Sequence, residues 1–427
     1  MKLNILVGIT IGLLLLTLPA AASDYTLGIF GNANEDDTIN MQDVTYTELI
    51  ILEYRDRTEL ADAKYDDKIN MQDVTQIELV ILGKEKELTF LDIFDCAVTV
   101  NKPIERLANL GMYGPQVVRM LGAKEILLPV IGLESISEWA VFYPEISKWQ
   151  VVGWKHDSCD FEKILSLGPD AVQTNLEARW ALRYWEEQRL IKEKLPGIPV
   201  ISLNLREPDV LLNNIQIYGH ILDRKDEAEE FCDWYTEVMD TITSRTEDVS
   251  EDEKPRFFIA GTEIYNTKSS VDRRAMALVL AGGKNIVDEL SDLPTHGMIM
   301  VDPEWVAEQN PEYIFRIVHP GTSELSGYMQ SGTSAVEAVR QEIMNQPILA
   351  NTDAVKNEHV YIIDGHLCDG GGNTAIGAAY AAKLFYPDLV EDMDPQAVHQ
   401  EYVDNFCRID FDVSEHGVFW YPPLEAS

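Results

Sequence analysis

The chain predicts an α/β protein: two Rossmann-like lobes joined by one long helix, preceded by a small α-helical module. Three observations carry that prediction. After residue 88, short β-rich runs alternate with longer amphipathic stretches, the pattern of a parallel sheet with helices on its faces. One apolar periodicity of helical type runs from Asp209 through Ile217, Ile221, Phe231, Trp234, Val238 and Ile242, and it divides the alternating region in two. Ahead of both, Thr38-Ile39-Asn40-Met41-Gln42-Asp43-Val44-Thr45 returns as Lys68-Ile69-Asn70-Met71-Gln72-Asp73-Val74-Thr75, 30 residues later. The first folding unit is therefore a repeat.

Taken in order, the chain opens with Lys2, an apolar run over residues 5–18, and Pro19-Ala20-Ala21-Ala22-Ser23. Residues 1–23 read as a secretory signal cleaved near Ala22, or, at that length, as a retained membrane anchor. Both readings export the remainder. The module follows at 24–88. Its repeats place Asn32, Asn34, Asp36, Asn40 and Asp43, then Asp62, Asp66, Asn70 and Asp73, largely at alternate positions. That spacing in a tight loop turns side-chain oxygens into one concavity, which suits a hard cation such as Ca²⁺. Apolar helical stretches follow, Leu49, Ile50 and Leu52 in the first repeat and Leu79, Val80, Ile81 and Leu82 in the second. Units this small bury a core only by packing together. Residues 83–87 read as a charged linker.

The first lobe spans 89–208, with strands expected at 125–130, 171–174 and 199–203 and helices at 160–167 and 178–193. The linking helix covers 209–246 and stops at the acidic stretch 247–253. The second lobe spans 254–410, with strands at 256–260, 313–317 and 360–363, and 411–427 read as a tail.

Composition narrows the function. Seventy-two acidic against 34 basic residues give a net charge of −38, which excludes nucleic acid as a partner because phosphate affinity needs clustered Lys and Arg. Cys96, Cys159, Cys232, Cys368 and Cys407 form no Cys-x-x-Cys pair, so zinc and redox motifs are missing and no bridge is assigned. The histidines show no His-x-x-x-His spacing, favouring an already complexed metal over a bare one. No nucleophile elbow, Walker loop or dinucleotide fingerprint occurs. The reading is a binding protein, not an enzyme, with no catalytic cofactor.

In a two-lobed α/β protein, ligands lie outside the carboxyl ends of the strands. The loops there carry Tyr113, Trp139, Trp154 and Arg206 in the first lobe, with Asn175 and Arg179. In the second they carry Tyr265, Arg273, His296 and His366, with His319 and Tyr328. Aromatic faces and a few cations bind planar or chelated ligands. Arg206 and Arg273 suit ligand carboxylates, and His296 or His366 a metal centre as neutral imidazole. Singly, each has a plainer reading, a Trp as local packing and a His as solvated surface. Gly370-Gly371-Gly372 reads as a turn opening the last helix.

Two resemblances add to this. Over residues 28–83 the repeats resemble the EF-hand-like calcium loops of dockerin modules, whose pattern is Asp-x-Asn-x-Asp-Gly-x-x-Asn-x-x-Asp. Asn32 replaces the first Asp, Lys64 stands where the second loop needs an oxygen, and Asp37 and Asp67 take the glycine position. Asp tolerates the left-handed backbone that glycine supplies, at a cost. The resemblance implies Ca²⁺ in the loops and a surface protein as docking partner; a degenerate repeat kept for packing is the alternative.

From Thr99 to Arg408 the chain resembles the class III substrate-binding proteins of ABC importers for iron-siderophore, haem and cobalamin. The likeness is carried by Val100-Asn101-Lys102-Pro103-Ile104-Glu105-Arg106, by Leu165-Ser166-Leu167-Gly168-Pro169-Asp170-Ala171-Val172, by Ala281-Gly282-Gly283-Lys284-Asn285-Ile286, by Val301-Asp302-Pro303-Glu304-Trp305 and by Asp394-Pro395-Gln396-Ala397-Val398. It implies an extracytoplasmic receptor that hands a chelated-metal small molecule to an ABC permease. Gln116 and Val279 stand where that family presents a surface glutamate to the permease. This departure motivates the alternative, a cell-surface scaffold or adhesion protein that uses the dockerin-like module and no longer transports.

Overall fold

A computed structural model describes residues 25–111, 114–128, 130–131, 140–153, 159–174, 181–291, 293, 297–318 and 325–424. The chain separates into two compact units, residues 1–91 and 92–427.

In the first unit each repeat gives a loop and a helix, α1 (Met41–Ile51) and α2 (Met71–Leu82), followed by strand β1 (Glu87–Leu91). The repeated Asn-x-x-Asp builds a capping box at each helix start. Asn40 accepts from the Gln42 N–H at 2.7 Å while Asp43 accepts from the Asn40 N–H at 2.8 Å, and Asn70 and Asp73 repeat this at 2.9 and 2.8 Å. The two helices pack together over Ala33, Val44, Ala61, Ala63, Val74 and Ile77. Residues 83–87 are a tight turn rather than a linker: Gly83 caps α2 with φ 63°, and β1 starts at Glu87. Of the two Asp residues at the glycine position, Asp67 takes the left-handed backbone (φ 66°); in the first loop Glu35 does so instead (φ 58°), as Tyr65 does in the second (φ 52°).

The second unit begins with β2 (Ala97–Asn101) and β3 (Leu107–Asn109), then α3 (Gly114–Met120), β4 (Val130–Ile131), β5 (Gln150–Val151), α4 (Phe161–Ser166), β6 (Ala171–Thr174), α5 (Ala181–Lys194) and β7 (Val200–Ser202). Strands β3, β6 and β7 form a parallel sheet with Ala108 opposite Val172 and Val172 opposite Val200. All three strands are buried throughout, as expected for a sheet covered on both faces. The run 125–130 departs from expectation. A 3₁₀ turn occupies Lys124–Ile126, and the Leu127 N–H closes onto the Lys124 carbonyl at 3.3 Å. The turn takes the start of the run, which keeps a parallel bridge from Leu127 to Leu107 of β3, with the Leu128 N–H donating to the Leu107 carbonyl at 2.9 Å, and then β4, paired with β5.

The expected single helix over 209–246 is two helices, α6 (Pro208–Ile221) and α7 (Lys225–Thr246), packed side by side. Asp223 turns the chain with φ 56°. Gly219 permits the close approach, since a Cβ there would lie 2.6 Å from the Ala228 Cβ. Ile217, Ile221, Phe231, Trp234, Val238 and Ile242 are all buried, so the apolar period survives the break.

Beyond α7 lie β8 (Arg256–Ile259), β9 (Asn266–Thr267), α8 (Arg273–Leu280), β10 (Lys284–Asn285), β11 (Ile299–Met300), α9 (Pro303–Gln309), β12 (Tyr313–Val318), α10 (Ser334–Met344), α11 (Asp353–Lys356), β13 (Val360–Asp364), α12 (Asn373–Phe385), α13 (Pro395–Glu401) and β14 (Trp420–Tyr421). The sheet order is β10-β8-β12-β13-β14, parallel except for β14. Residues 411–427 are thus not a mere tail, because they supply the edge strand that sets Trp420 opposite Ile363. Among the described residues no ladder joins this sheet to the three-stranded one. Helix α12 packs on α8 and α7. Helix α3 packs on a π-helical turn, Tyr402–Cys407, where Gln116 donates to the Tyr402 hydroxyl at 2.8 Å and Arg119 to the Cys407 carbonyl at 2.7 Å. All five cysteines are unbridged.

Candidate functional site

Three arginines converge on one carboxylate beyond the strand ends. Arg206 follows β7 and places Nη2 2.8 Å from Asp369 Oδ2, while its Nε and Nη2 reach the Asp369 carbonyl at 3.3 Å. Arg273 and Arg274 open α8, whose start is fixed by Asp272 accepting from the Arg274 N–H at 3.1 Å. Their Nε atoms lie 3.0 and 3.5 Å from Asp369 Oδ1. Asp369 arrives from the other side, between β13 and α12. The glycine run is the turn that opens α12, and it also makes this meeting possible. Gly370 has φ 96°, and a Cβ there would lie 2.6 Å from the Arg206 carbonyl, which also accepts from the Gly371 N–H at 2.9 Å.

The electrostatics are unusual for so acidic a chain. Lys268 joins the cluster through Asp272, so four basic side chains gather around the carboxylates of Asp369 and Asp272. Burial lowers the pKa of the Lys268 ammonium, and Arg274 and Arg273 add to that despite Asp272. Burial alone would raise the Asp272 carboxyl, but Lys268 and the Arg274 N–H outweigh it and hold it low. On β12, burial and then the charge of Arg274 depress the Arg316 guanidinium. Besides burial, neighbouring cations thus lower the pKa values of Lys268 and Arg316 here.

His366 lies at the end of β13, with Nδ1 2.6 Å from Asp364 Oδ1; the second oxygen of that carboxylate accepts from the Ser326 hydroxyl at 2.7 Å. The other ring nitrogen, Nε2, is buried, and the ring packs against Phe142 and Tyr328 with centroids 6.2 and 5.4 Å apart. Tyr328 is buried in the core rather than on a rim, its hydroxyl 2.8 Å from His399 Nε2. Tyr265 packs against the apolar core of the second lobe instead of joining Arg206 and Arg273. Tyr113, Trp139, Trp154 and His296 lie outside the described residues, as do Asn175, Arg179 and His319. Sequence reasoning missed Arg274, Asp369 and Arg316. The first two carried a signal: an Asp N-cap before paired arginines, and an acid directly before a glycine run.

The repeat loops form a second candidate site. Asp43 is fully buried, accepting from the Asn34 and Asn40 N–H groups at 3.2 and 2.8 Å. Burial, with Asp36 adding to it, pushes its carboxyl up to about 6. Asp73 is raised by burial too, with Asp62 and Asp66 contributing. Asn32 is fully buried and its Oδ1 has no hydrogen-bond partner. Among the described residues no three His, Cys, Asp or Glu side chains are placed to hold a metal, so a cation would also need amide and backbone oxygens. The first loop offers those through Asn32, Asn34 and Asn40. In the second, Lys64 stands at the corresponding place and Arg57 lies 3.6 Å from Asp62. The first loop therefore fits Ca²⁺ better than the second.

Two α/β lobes with a polar site outside their strand ends define a solute-binding protein. The chain belongs to the periplasmic binding protein family, whose model matches residues 113–367. Molybdate-binding protein MolA of Haemophilus influenzae is 21% identical over 347 residues, 75% of this chain and 91% of that protein. Its molybdate-bound structure superposes with a TM-score of 0.59 at 20% identity over 76% of this chain and 98% of that one. The TroA-like periplasmic binding protein FepB of Veillonella parvula gives 0.63 at 21%, over 78% and 98%. Helicobacter pylori CeuE with Ni(II) bound gives 0.55 at 17%, over 75% and 96%. At these identities the structures share a fold. Membership of the family implies an extracytoplasmic location, and among the described residues no helix is long and apolar enough to cross a membrane.

Proposed function

We propose that this protein is the substrate-binding component of an ABC importer, receiving an anionic metal compound at the arginine cluster and delivering it to a permease. The observation that carries the ligand class is the convergence of Arg206, Arg273 and Arg274 on the single carboxylate of Asp369. Arginine forks match the oxygens of an anion. Of iron-siderophore, haem and cobalamin, the charge favours an anionic siderophore chelate. A metal oxyanion meets the same demand, and the Haemophilus relative is named for molybdate. Gln116 is committed to Tyr402, so its difference from glutamate reflects a contact between the lobes, which weakens the case for a scaffold that has lost transport. No catalytic role forms part of this reading.

Calorimetric titration of the whole chain with molybdate and with a ferric catecholate chelate tests the proposal. One of them is expected to bind saturably, and the R206A/R273A double variant to weaken it at least ~100-fold, in keeping with two charged hydrogen-bonding contacts. If neither anion binds, or the double variant binds as the parent does, the reading fails.

For the repeat module we infer Ca²⁺ binding, first in the loop of Asn32, Asn34, Asp36, Asn40 and Asp43. The buried, partnerless Asn32 Oδ1 and the raised carboxyl of Asp43 support it. Because bound metal requires the ionised carboxylate, Ca²⁺ affinity is expected to fall as pH drops below about 6. Titrations at pH 7.5 and 5 that give equal affinity would count against it.

A further inference from the structure

The two-stranded ribbon of β9 and β11 stands at the carboxyl end of β8, the end of a parallel sheet at which solutes bind. The chain folds back there so closely that a Cβ on Gly261 would lie 1.8 Å from the Asn266 carbonyl, and the Thr267 hydroxyl donates to the Ile259 carbonyl at 2.6 Å. Strand β11 pairs antiparallel with β9, setting Ile299 opposite Thr267 and Met300 opposite Asn266. Successive side chains of a strand point to opposite faces. Thr267 is fully buried and Ile299 packs on the core of the lobe, so that face is closed. Met298 and Met300 are turned the other way and are 47% and 65% exposed.

The ribbon is also joined to the arginine cluster. Lys268 directly follows β9 and pairs with Asp272; after burial, the charges of Arg274 and Arg273 depress its ammonium. Ahead of β9, Arg316 donates to the Thr262 hydroxyl at 2.9 Å and to the Ala260 carbonyl at 3.3 Å, and it too is depressed by burial and then by Arg274. Both approaches to β9 therefore lie within the field of the residues that open α8. Val271, 55% exposed, directly precedes Asp272. Single exposed apolar side chains are ordinary, whereas these three sit on segments joined or paired to those that carry the cations.

Resting on the transport reading above, we propose that Met298 and Met300 are specificity-determining residues: they take up an aromatic body attached to the anion, so that the site prefers an aryl-bearing anion to a bare oxyanion. Methionine suits this task because its unbranched, polarisable side chain adapts to the outline of a ring and its sulfur makes favourable contacts with aromatic carbon. A bare oxyanion uses the guanidinium forks alone and gains nothing from a thioether. The arginines then recognise charge, and the methionines choose between anions of like charge.

Ferric tris-catecholate and molybdate are the probes, each titrated by calorimetry against the whole chain and against M298Q/M300Q, in which glutamine keeps the length of each side chain and removes its apolar, polarisable end. Both positions face solvent, so the variant is expected to melt with the parent. It is expected to weaken ferric tris-catecholate by ~10-fold or more, the size of two lost sulfur–aromatic contacts, and to weaken molybdate by less. Molybdate binding without chelate binding, parental affinity for the chelate in M298Q/M300Q, or an equal loss for both anions overturns the role of the methionines and leaves the transport reading standing. Binding of neither anion to the parent overturns both.

Discussion

Asp369 answers three guanidinium groups at 2.8, 3.0 and 3.5 Å, and under the proposed function it would share them with an anionic ligand. It is therefore both partner and competitor. Asp369→Asn is expected to destabilise the unliganded protein by about 3 kcal/mol, because buried guanidinium groups lose one counter-charge that they share. The same change should increase the rise in melting temperature produced by molybdate. A variant that melts like the parent and responds no more strongly would contradict this account. A second prediction at this scale concerns His220 and His399. Burial, with Lys225 and Lys102, lowers His220 to about 3; burial lowers His399 to about 3 against the opposing pull of Asp364. Both are neutral when folded and titrate near 6.5 when unfolded. The stability they preserve is complete above pH 6.5 and is lost as pH falls toward 3. Urea midpoints should drop between pH 7 and 5, and His399→Gln should flatten the slope. Midpoints that rise on acidification over that window would refute the argument.

Elements decide how these residues meet. The turn before α12 needs a left-handed backbone at Gly370 and leaves 2.6 Å between an added Cβ and the Arg206 carbonyl. Gly370→Ala should therefore cost about 2–4 kcal/mol and weaken anion binding, since it separates Asp369 from Arg206. Chemical denaturation and calorimetry read the two effects, and an unperturbed variant would show the turn to be slack. Local rules made much of this legible. The strands at 171–174, 256–259 and 313–318 follow from buried β-rich runs, and Asp160, Asp302 and Asp394 each cap the helix expected after them. What stayed hidden was non-local. The α6–α7 break of three residues nearly completes a helical turn, so the apolar phase passes through it unchanged. Asp369 lies 163 residues from Arg206, and nothing in either neighbourhood announces the other. Tyr328 looked like a rim aromatic because its partner His399 is 71 residues away.

Across the whole molecule, charge sets two opposing influences on an anionic ligand. The chain carries −38, so its long-range field repels an approaching anion, whereas the cluster of Arg206, Arg273 and Arg274 attracts it at contact. The two act over different distances. The Debye length shortens from about 30 Å at 0.01 M salt to about 8 Å at 0.15 M, which removes the distant repulsion while buried contacts a few ångströms long are screened far less. Association should therefore quicken with added salt, the reverse of ordinary electrostatic steering, and dissociation should change little. Stopped-flow measurement of anion binding with sodium chloride, whose chloride competes only weakly for arginine forks, gives the test. An association rate that falls between 0.01 and 0.15 M would mean that the local cluster governs the field far from the protein, and the division of roles between site and surface would be wrong.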